Sequence, residues 1–310
     1  MKRSLSKLAE MPVRPRLADP IHRLTSRWRN GGLEHYALSE LSKIQHDQHK
    51  KMRGIYRDFE ITRHRIRMDR LPAAFKGFRI VQLTDIHHGV FLAADILQHV
   101  VNTVNELEPD LVVLTGDYIT YSSAYIEPVA EILGQLRSRQ GIIGVLGNHD
   151  FRVDADRVAR TLSRAGVEVL RNRHTRVQHR DQFLYIAGID DWYYRPDLLR
   201  AVRGIPKKSP TILLSHNPSI VQSAADAGVQ LVLSGHTHGG QLNLPFLGTI
   251  YGRTPEQLRF KVGWARLGPT QIYVSRGIGT IVLPLRVRCA PEIPVLTLDS
   301  TPHSFSHTSA

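Results

Sequence analysis

Ile142-Ile143-Gly144-Val145-Leu146-Gly147-Asn148-His149-Asp150 is the stretch that decides the reading of this chain. Its first five residues are an apolar, β-branched run that reads as a buried strand ending in a turn. A loop at such a strand end can hold polar side chains over a rigid sheet. Asn148 offers a neutral oxygen suited to a hard metal ion, and His149 can shuttle a proton. Asp150 is placed to accept a hydrogen bond from that His and fix its ring. Gly-Asn is also an ordinary turn signal, so the tetrapeptide alone decides nothing. Four other strand ends repeat its chemistry.

Phe78-Arg79-Ile80-Val81-Gln82-Leu83 ends in Thr84-Asp85-Ile86-His87-His88-Gly89, and Leu111-Val112-Val113-Leu114 runs into Thr115-Gly116-Asp117. Ile212-Leu213-Leu214 ends in Ser215-His216. Leu231-Val232-Leu233 ends in Ser234-Gly235-His236-Thr237-His238-Gly239-Gly240-Gln241. Between these runs, Ile96, Leu97, Val100, Val101, Val104 and Leu107 fall at helical spacing and predict a helix over 95–107, started by Asp95. Further helices are expected over 124–137, 154–165 and 218–227, and further strands over 59–68, 167–170, 175–179, 183–189, 272–274 and 295–298. This alternation of strand, polar loop and helix predicts a layered α/β fold with two sheets or one large mixed sheet. In such folds ligands collect at the carboxyl ends of strands.

The candidates gathered there are Asp85, His87, Asp117, Asn148, His149, His216, His236 and His238. Asp85 and His87 are two apart, as are His236 and His238; in extended segments each pair points one way. Mixed imidazole and carboxylate donors suit zinc, iron, manganese or nickel. The set exceeds what one tetrahedral ion uses. Two ions ~3.5–4 Å apart, sharing a carboxylate, would clamp a water for in-line attack on phosphorus. Arg286 is a candidate grip on a substrate phosphate, with a surface arginine as the plain alternative.

The 310 residues are 42% hydrophobic, enough for one large domain. No stretch approaches ~18 consecutive apolar residues, so no membrane-spanning helix is expected. The single cysteine, Cys289, excludes an internal disulfide and fits a reducing, cytoplasmic setting. A net charge of +13 suits nucleic acid, anionic lipid or a phosphorylated substrate as partner. Residues 1–55 read as a basic N-terminal extension, partly helical or disordered, with Leu38, Leu41 and Ile44 on one face of a helix over 34–52. That helix is a candidate peripheral membrane contact. The tail 301–310 reads as disordered. No helix-turn-helix or aromatic-basic RNA motif stands out.

The ordered blocks Asp85-Ile86-His87, Gly116-Asp117, Gly147-Asn148-His149-Asp150, His216 and Gly235-His236-Thr237-His238 resemble the calcineurin-like metallophosphoesterase superfamily. Tyr273-Val274-Ser275-Arg276-Gly277-Ile278-Gly279, Pro284-Leu285-Arg286 and Pro291-Glu292-Ile293 resemble its YaeI/YkuE-like bacterial branch. The resemblance implies a four-layer metallophosphoesterase fold, a central β-sandwich of mixed sheets flanked by helices, in a catalytic domain over 56–300. It implies two divalent ions, manganese foremost, with iron, zinc or nickel as alternatives. One would be held by Asp85, His87, Asp117 and His238, the other by Asp117, Asn148, His216 and His236. It further implies a phosphodiesterase in which a metal-bridging hydroxide attacks phosphorus, His149 is the general acid and Asp150 supports it. The substrate would be a phosphorylated small molecule or a lipid-linked ester. Some relatives resemble a UDP-2,3-diacylglucosamine pyrophosphatase of lipid A synthesis. In that reading the apolar loop 242–251, with Leu244, Phe246, Leu247 and Ile250, meets acyl chains at the cytoplasmic face of a membrane. From other classes stand a nucleic-acid-binding protein and an inactive metal-binding scaffold. A dead copy is expected to have lost ligands, and none is missing.

Overall fold

An apolar run with no polar alternation buries both its faces, which a strand does only between a second sheet and a helical layer. Leu111–Leu114, Thr211–Leu214 and Leu231–Ser234 are buried at every position. The computed structural model describes residues 59–244, 248–249 and 260–300. In chain order the first half holds β1 (Glu60–Arg67), β2 (Arg79–Leu83), α1 (Ala94–Glu106), β3 (Leu111–Leu114), α2 (Ile126–Leu133), β4 (Ile142–Gly144), α3 (Asn148–Arg164) and β5 (Val167–Val169). The second half begins with β6 (Arg173–His179), β7 (Gln182–Gly188), α4 (Leu198–Val202), β8 (Thr211–Leu214), α5 (Val221–Asp226) and β9 (Leu231–Ser234). A short hairpin of β10 (Asn243–Leu244) and β11 (Gly248–Thr249) follows, then β12 (Gly263–Leu267), β13 (Thr270–Val274) and β14 (Glu292–Asp299).

Two six-stranded sheets result, in the orders β1-β14-β2-β3-β4-β5 and β12-β13-β9-β8-β7-β6. Both are mixed. β2 to β5 run parallel while β14 opposes β2; β13, β9, β8 and β7 run parallel while β12 and β6 oppose them. Ile80, Val113 and Ile143 from the first sheet share one core with Ile186, Ile212, Leu214 and Leu233 from the second. The outer face of the second sheet, through Leu213, Val232 and Ile272, packs on Leu198 of α4 and Val221 and Ala224 of α5. α1 buries Ile96, Leu97, Val100, Val101 and Val104 and packs on α2. The expected sandwich of mixed sheets between helical layers is what forms.

Element boundaries differ from the sequence reading for local reasons. α1 is not capped by Asp95; Ala93 stands at the cap, and Asp95 sits in the first turn where its charge opposes the helix dipole. α2 is shorter than 124–137, because residues 123–125 form a 3-10 turn capped by Ser122 and the helix stops before Gly134. α3 begins at Asn148 rather than at 154, with non-helical backbone at Asp154. The pattern also missed α4 and β12. α4 is a single turn, capped by Asp197 Oδ1, which accepts from the Arg200 amide at 2.9 Å. The helix over 34–52, the extension 1–55, the tail 301–310 and half of the apolar loop 242–251 lie outside the described residues. Among the described residues no helix is long and apolar enough to cross a membrane.

A polar lock joins the two sheets. The Tyr273 hydroxyl on β13 donates to the Glu292 carboxylate on β14. Thr62 Oγ1 donates to the same carboxylate at 2.6 Å and the Arg276 amide at 3.0 Å. Burial alone would raise the Glu292 pKa; the Thr62, Tyr273 and Arg276 donors overcome it and hold the carboxyl below its ordinary 4.5. A depressed folded pKa means that this stabilisation is complete above about pH 4.5 and is lost as pH falls through the folded value. Glu292→Gln is therefore expected to flatten the acid limb of stability: its urea midpoint should fall less between pH 6 and pH 3.5 than that of wild type.

Candidate metal centre

Asp85 follows β2, Asp117 follows β3 and Asn148 follows β4, while His216 follows β8 and His236 follows β9. The parallel strands of both sheets thus deliver these side chains at their carboxyl ends. The segments are not extended, contrary to the expectation for the two-apart pairs. Asp85, His87, Asp117, His236 and His238 have φ of 49°, 49°, 56°, 72° and 52°. Left-handed backbone costs a non-glycine residue roughly 1–2 kcal/mol. Backbone bonds between strand ends hold these turns: the Asp85 amide to Gly116 O at 3.0 Å, the His87 amide to Asp117 O at 3.0 Å, and the Gly235 amide to His216 O at 3.0 Å. A Cβ on Gly147 would lie 2.2 Å from Asp117 Oδ1, and one on Gly235 would lie 2.1 Å from Asp85 Oδ2. Those two positions need glycine because the carboxylates occupy the space.

The side chains converge. His87 Nε2 lies 3.1 Å from His238 Nε2, and His238 Nε2 lies 3.2 Å from Asp85 Oδ1. Asp117 Oδ2 lies 3.1 Å from His216 Nε2 and 3.6 Å from His87 Nε2. His216 Nε2 in turn lies 3.2 Å from His236 Nδ1. Three triads each offer ligand atoms within 4.8 Å of one another: Asp85, His87 and His238; His87, Asp117 and His149; Asp85, Asp117 and His216. The set fits divalent cations. Ring nitrogens face one another in pairs, and Asn148 Oδ1 is buried with no hydrogen-bond partner among the described residues. An unspent neutral oxygen in such a cluster has a natural use as a cation ligand.

Charge within the cluster follows burial and proximity. Burial disfavours ionised Asp117, but His216, His149 and His87 overcome it and hold the carboxyl well below its usual range. The reciprocal attraction lifts His216 to about 10 against its own burial. Burial, helped by neighbouring His and Arg charges and only partly offset by Asp117, holds His87 and His238 well below 6.5 and takes His236 down to about 3. Burial raises Asp85 to about 6. Neutral His87, His236 and His238 and an ionised Asp117 are in the protonation states that metal ligation uses, while His216 would give up its proton to a cation.

Two expected roles are corrected by the geometry. Among the described residues the Asp150 carboxylate accepts from backbone amides and not from the His149 ring. Its Oδ2 accepts the Gly147 amide at 2.8 Å and the Asp117 amide at 2.9 Å, and its Oδ1 accepts the Tyr118 amide at 2.9 Å. It closes the first turn of α3 and pins the Asp117 turn. Burial and the Asp117 charge push Asp150 up, to about 8, against the pull of these donors. Both oxygens already receive amide hydrogens, which is the arrangement of a carboxylate. His149 is oriented instead by the Thr120 carbonyl, 3.2 Å from its Nδ1. Burial lowers its pKa, partly offset by Asp117. Arg286 is the second correction. Its guanidinium donates to the carbonyls of Arg276 at 2.8 Å, Gly277 at 3.2 Å and Gly279 at 3.1 Å. It clamps the 276–289 loop against His238, whose Nδ1 lies 3.5 Å away.

The sequence reading missed Thr120 and Asp191. Thr120 Oγ1 lies 2.9 Å from His87 Nδ1, so one residue sets two imidazoles. Asp191 follows β7, is fully buried, and keeps Oδ2 without a hydrogen-bond partner among the described residues. Burial raises its pKa to about 6, with His216 pulling it back. The signal was present, since Asp190-Asp191 is a polar cluster after an apolar strand, the pattern that collected the others. Asp150→Asn would set an amide NH₂ against backbone donors. It is expected to cost about 1–3 kcal/mol in urea unfolding and to lower bound metal per chain, measured by elemental analysis after dialysis.

The calcineurin-like phosphoesterase family pattern matches residues 78–240, more than half of the 310. The metallophosphoesterase YkuE of Bacillus subtilis is 38% identical over 251 residues, which cover 78% of this chain and 86% of that protein. The phosphodiesterase YaeI of Escherichia coli is 30% identical over 244 residues, 77% of this chain and 88% of that protein. A transmembrane protein with metallophosphoesterase domain from Danio rerio is 34% identical over 248 residues, 75% of this chain but 56% of that protein. On the matched pattern and these identities, the chain belongs to the calcineurin-like phosphoesterase family and is a metallophosphoesterase.

Proposed function

We propose that this metallophosphoesterase is a phosphodiesterase working with two divalent ions, manganese foremost. On this reading Asp85, His87, Asp117 and His238 hold one ion, and Asp117, Asn148, His216 and His236 hold the other. The observation that carries it is the Asp117 carboxylate, whose Oδ2 faces imidazoles from both sheets, while Asn148, next in sequence to the His149 whose amide donates to that carboxylate, keeps Oδ1 without a hydrogen-bond partner among the described residues. The name of the Escherichia coli relative supports the diester as substrate class.

When bound, the ions neutralise phosphate charge and lower the pKa of water at the site. The chain's own residues do the rest. The His149 amide donates to Asp117 Oδ1 at 2.8 Å and keeps the shared carboxylate from rotating. The Thr120 carbonyl accepts a hydrogen bond from His149 Nδ1–H, which leaves Nε2 to give a proton to the departing alkoxide. An arriving phosphate anion favours the charged imidazolium against the burial that lowers it. Asp150 acts through Asp117 and the α3 turn, as a positioning residue. Whether the ester is a small molecule or lipid-linked is decided by one substrate panel.

That panel compares aryl phosphomonoesters, phosphodiesters, nucleotide pyrophosphates and a UDP-linked diacylated sugar on the metal-reconstituted chain. Diesters are expected to be hydrolysed fastest; monoesters alone would sink the phosphodiesterase reading. His149→Ala should keep its metal and lose turnover by roughly 10²–10⁴-fold. Asp117→Asn should lose metal stoichiometry itself.

A further inference from the structure

Two of the most exposed large side chains among the described residues are Tyr121, 57% exposed, and Tyr193, 60% exposed. Large aromatic rings in water are costly and call for an explanation when they are grouped around a site. Both border the metal centre. The Tyr121 ring centroid lies 6.3 Å from that of His149, nearly perpendicular to it, and the Tyr193 centroid lies 6.1 Å from that of His236. They come from different loops, after β3 and after β7.

Neither loop is loosely placed. Tyr121 follows Thr120, which fixes the rings of His87 and His149. The Tyr193 amide donates to Asp191 Oδ1 at 3.0 Å. The next residue, Tyr194, stacks on Phe151 with centroids 4.7 Å apart and planes 11° apart. Arg171 sits over the Phe151 ring at 5.3 Å and grips Asp190 through Nε at 2.9 Å and its terminal nitrogen at 3.1 Å. The loop 190–194 is thereby fastened to the first turns of α3. Arg152, next to Phe151, hydrogen-bonds to Tyr194, and its charge reaches both His149 and His236. A cation therefore lies within electrostatic range of both imidazoles that the tyrosines border.

We propose that Tyr121, Tyr193 and Arg152 form a recognition rim for phosphoric esters that carry a planar aromatic group, the nucleotide class. The rings supply flat apolar faces on which a base stacks without regard to its edge pattern, and the guanidinium draws the phosphate. Tyr121 stands beside the proposed proton donor, so it meets the leaving side of the ester. The phosphodiesterase reading sets which bond is cut; the rim sets which ester is held.

The test separates the two. Equilibrium binding of AMP and of ribose 5-phosphate is measured on the full chain loaded with manganese, with no turnover involved. AMP is expected to bind about tenfold tighter, a modest share of what base–aromatic stacking supplies. The double variant Tyr121→Ala/Tyr193→Ala should bring AMP to the level of ribose 5-phosphate and leave ribose 5-phosphate unchanged. Tyr121→Phe/Tyr193→Phe, which keeps both faces, should keep the tenfold preference and shows that the scaffold tolerates the sites. Arg152→Gln should weaken both ligands alike. Equal binding of AMP and ribose 5-phosphate by wild type overturns the proposal, as does a double alanine variant that still prefers AMP. Failure of diester hydrolysis beside an intact AMP preference overturns only the phosphodiesterase reading. In steady state on a diester with an aryl leaving group, the double alanine variant should raise KM with little change in kcat, the mark of lost uniform binding.

Discussion

One oxygen, Oδ2 of Asp117, lies between an imidazole of each sheet, His87 from the first and His216 from the second. The first sheet brings both carboxylates of this seam, Asp85 and Asp117, together with His87 and His149, and the second brings three more imidazoles, His216, His236 and His238. Attraction across the seam fixes how the strand ends meet. An uncompensated carboxylate at this depth would be driven toward its neutral form. Asp117 stays ionised because imidazoles surround it and because His149 and Asp150 hold its side chain and its amide. The sandwich brings the pieces together, and this carboxylate sets their spacing.

Much of this was legible. Runs such as 111–114 and 231–233 announce themselves because both faces are buried, and a polar cluster at each end marks where the site lies. The start of α3 was not legible. Asn148, His149 and Asp150 show no apolar period, and the turn is held by an Asp150 side chain bonded to a backbone amide. The left-handed turns at Asp85, His87 and His238 were missed for a related reason. Asp, Asn and His are enriched at positive φ, yet only cross-strand bonds decide where they adopt it. The candidates were thus found under a partly wrong geometric argument: spacing in an extended strand does not aim these rings.

Arg286 and Arg152 make the same point from the other side. A sequence shows that a guanidinium exists, while the fold decides what it meets. Arg286 is folded back on the carbonyls of its own loop, so a residue that looked suited to substrate is employed in architecture. Arg152, three positions past the histidine of the opening motif, falls within charge range of the cluster because α3 starts early. A boundary placed six residues too late was enough to hide it.

β14 lies between β1 and β2 in the first sheet, parallel to one and antiparallel to the other. Thr62 and Glu292, which meet across that pairing, are 230 positions apart. During vectorial synthesis, β1 and β2 therefore emerge from the ribosome as neighbours that must not zip together. The gap between them has to stay open until nearly all of the described chain has been translated. Such distant closure is slow and leaves strand edges exposed meanwhile. It also means that a truncated nascent product lacks the strand flanking β2, so Asp85 gains its final support only when the polypeptide is almost complete.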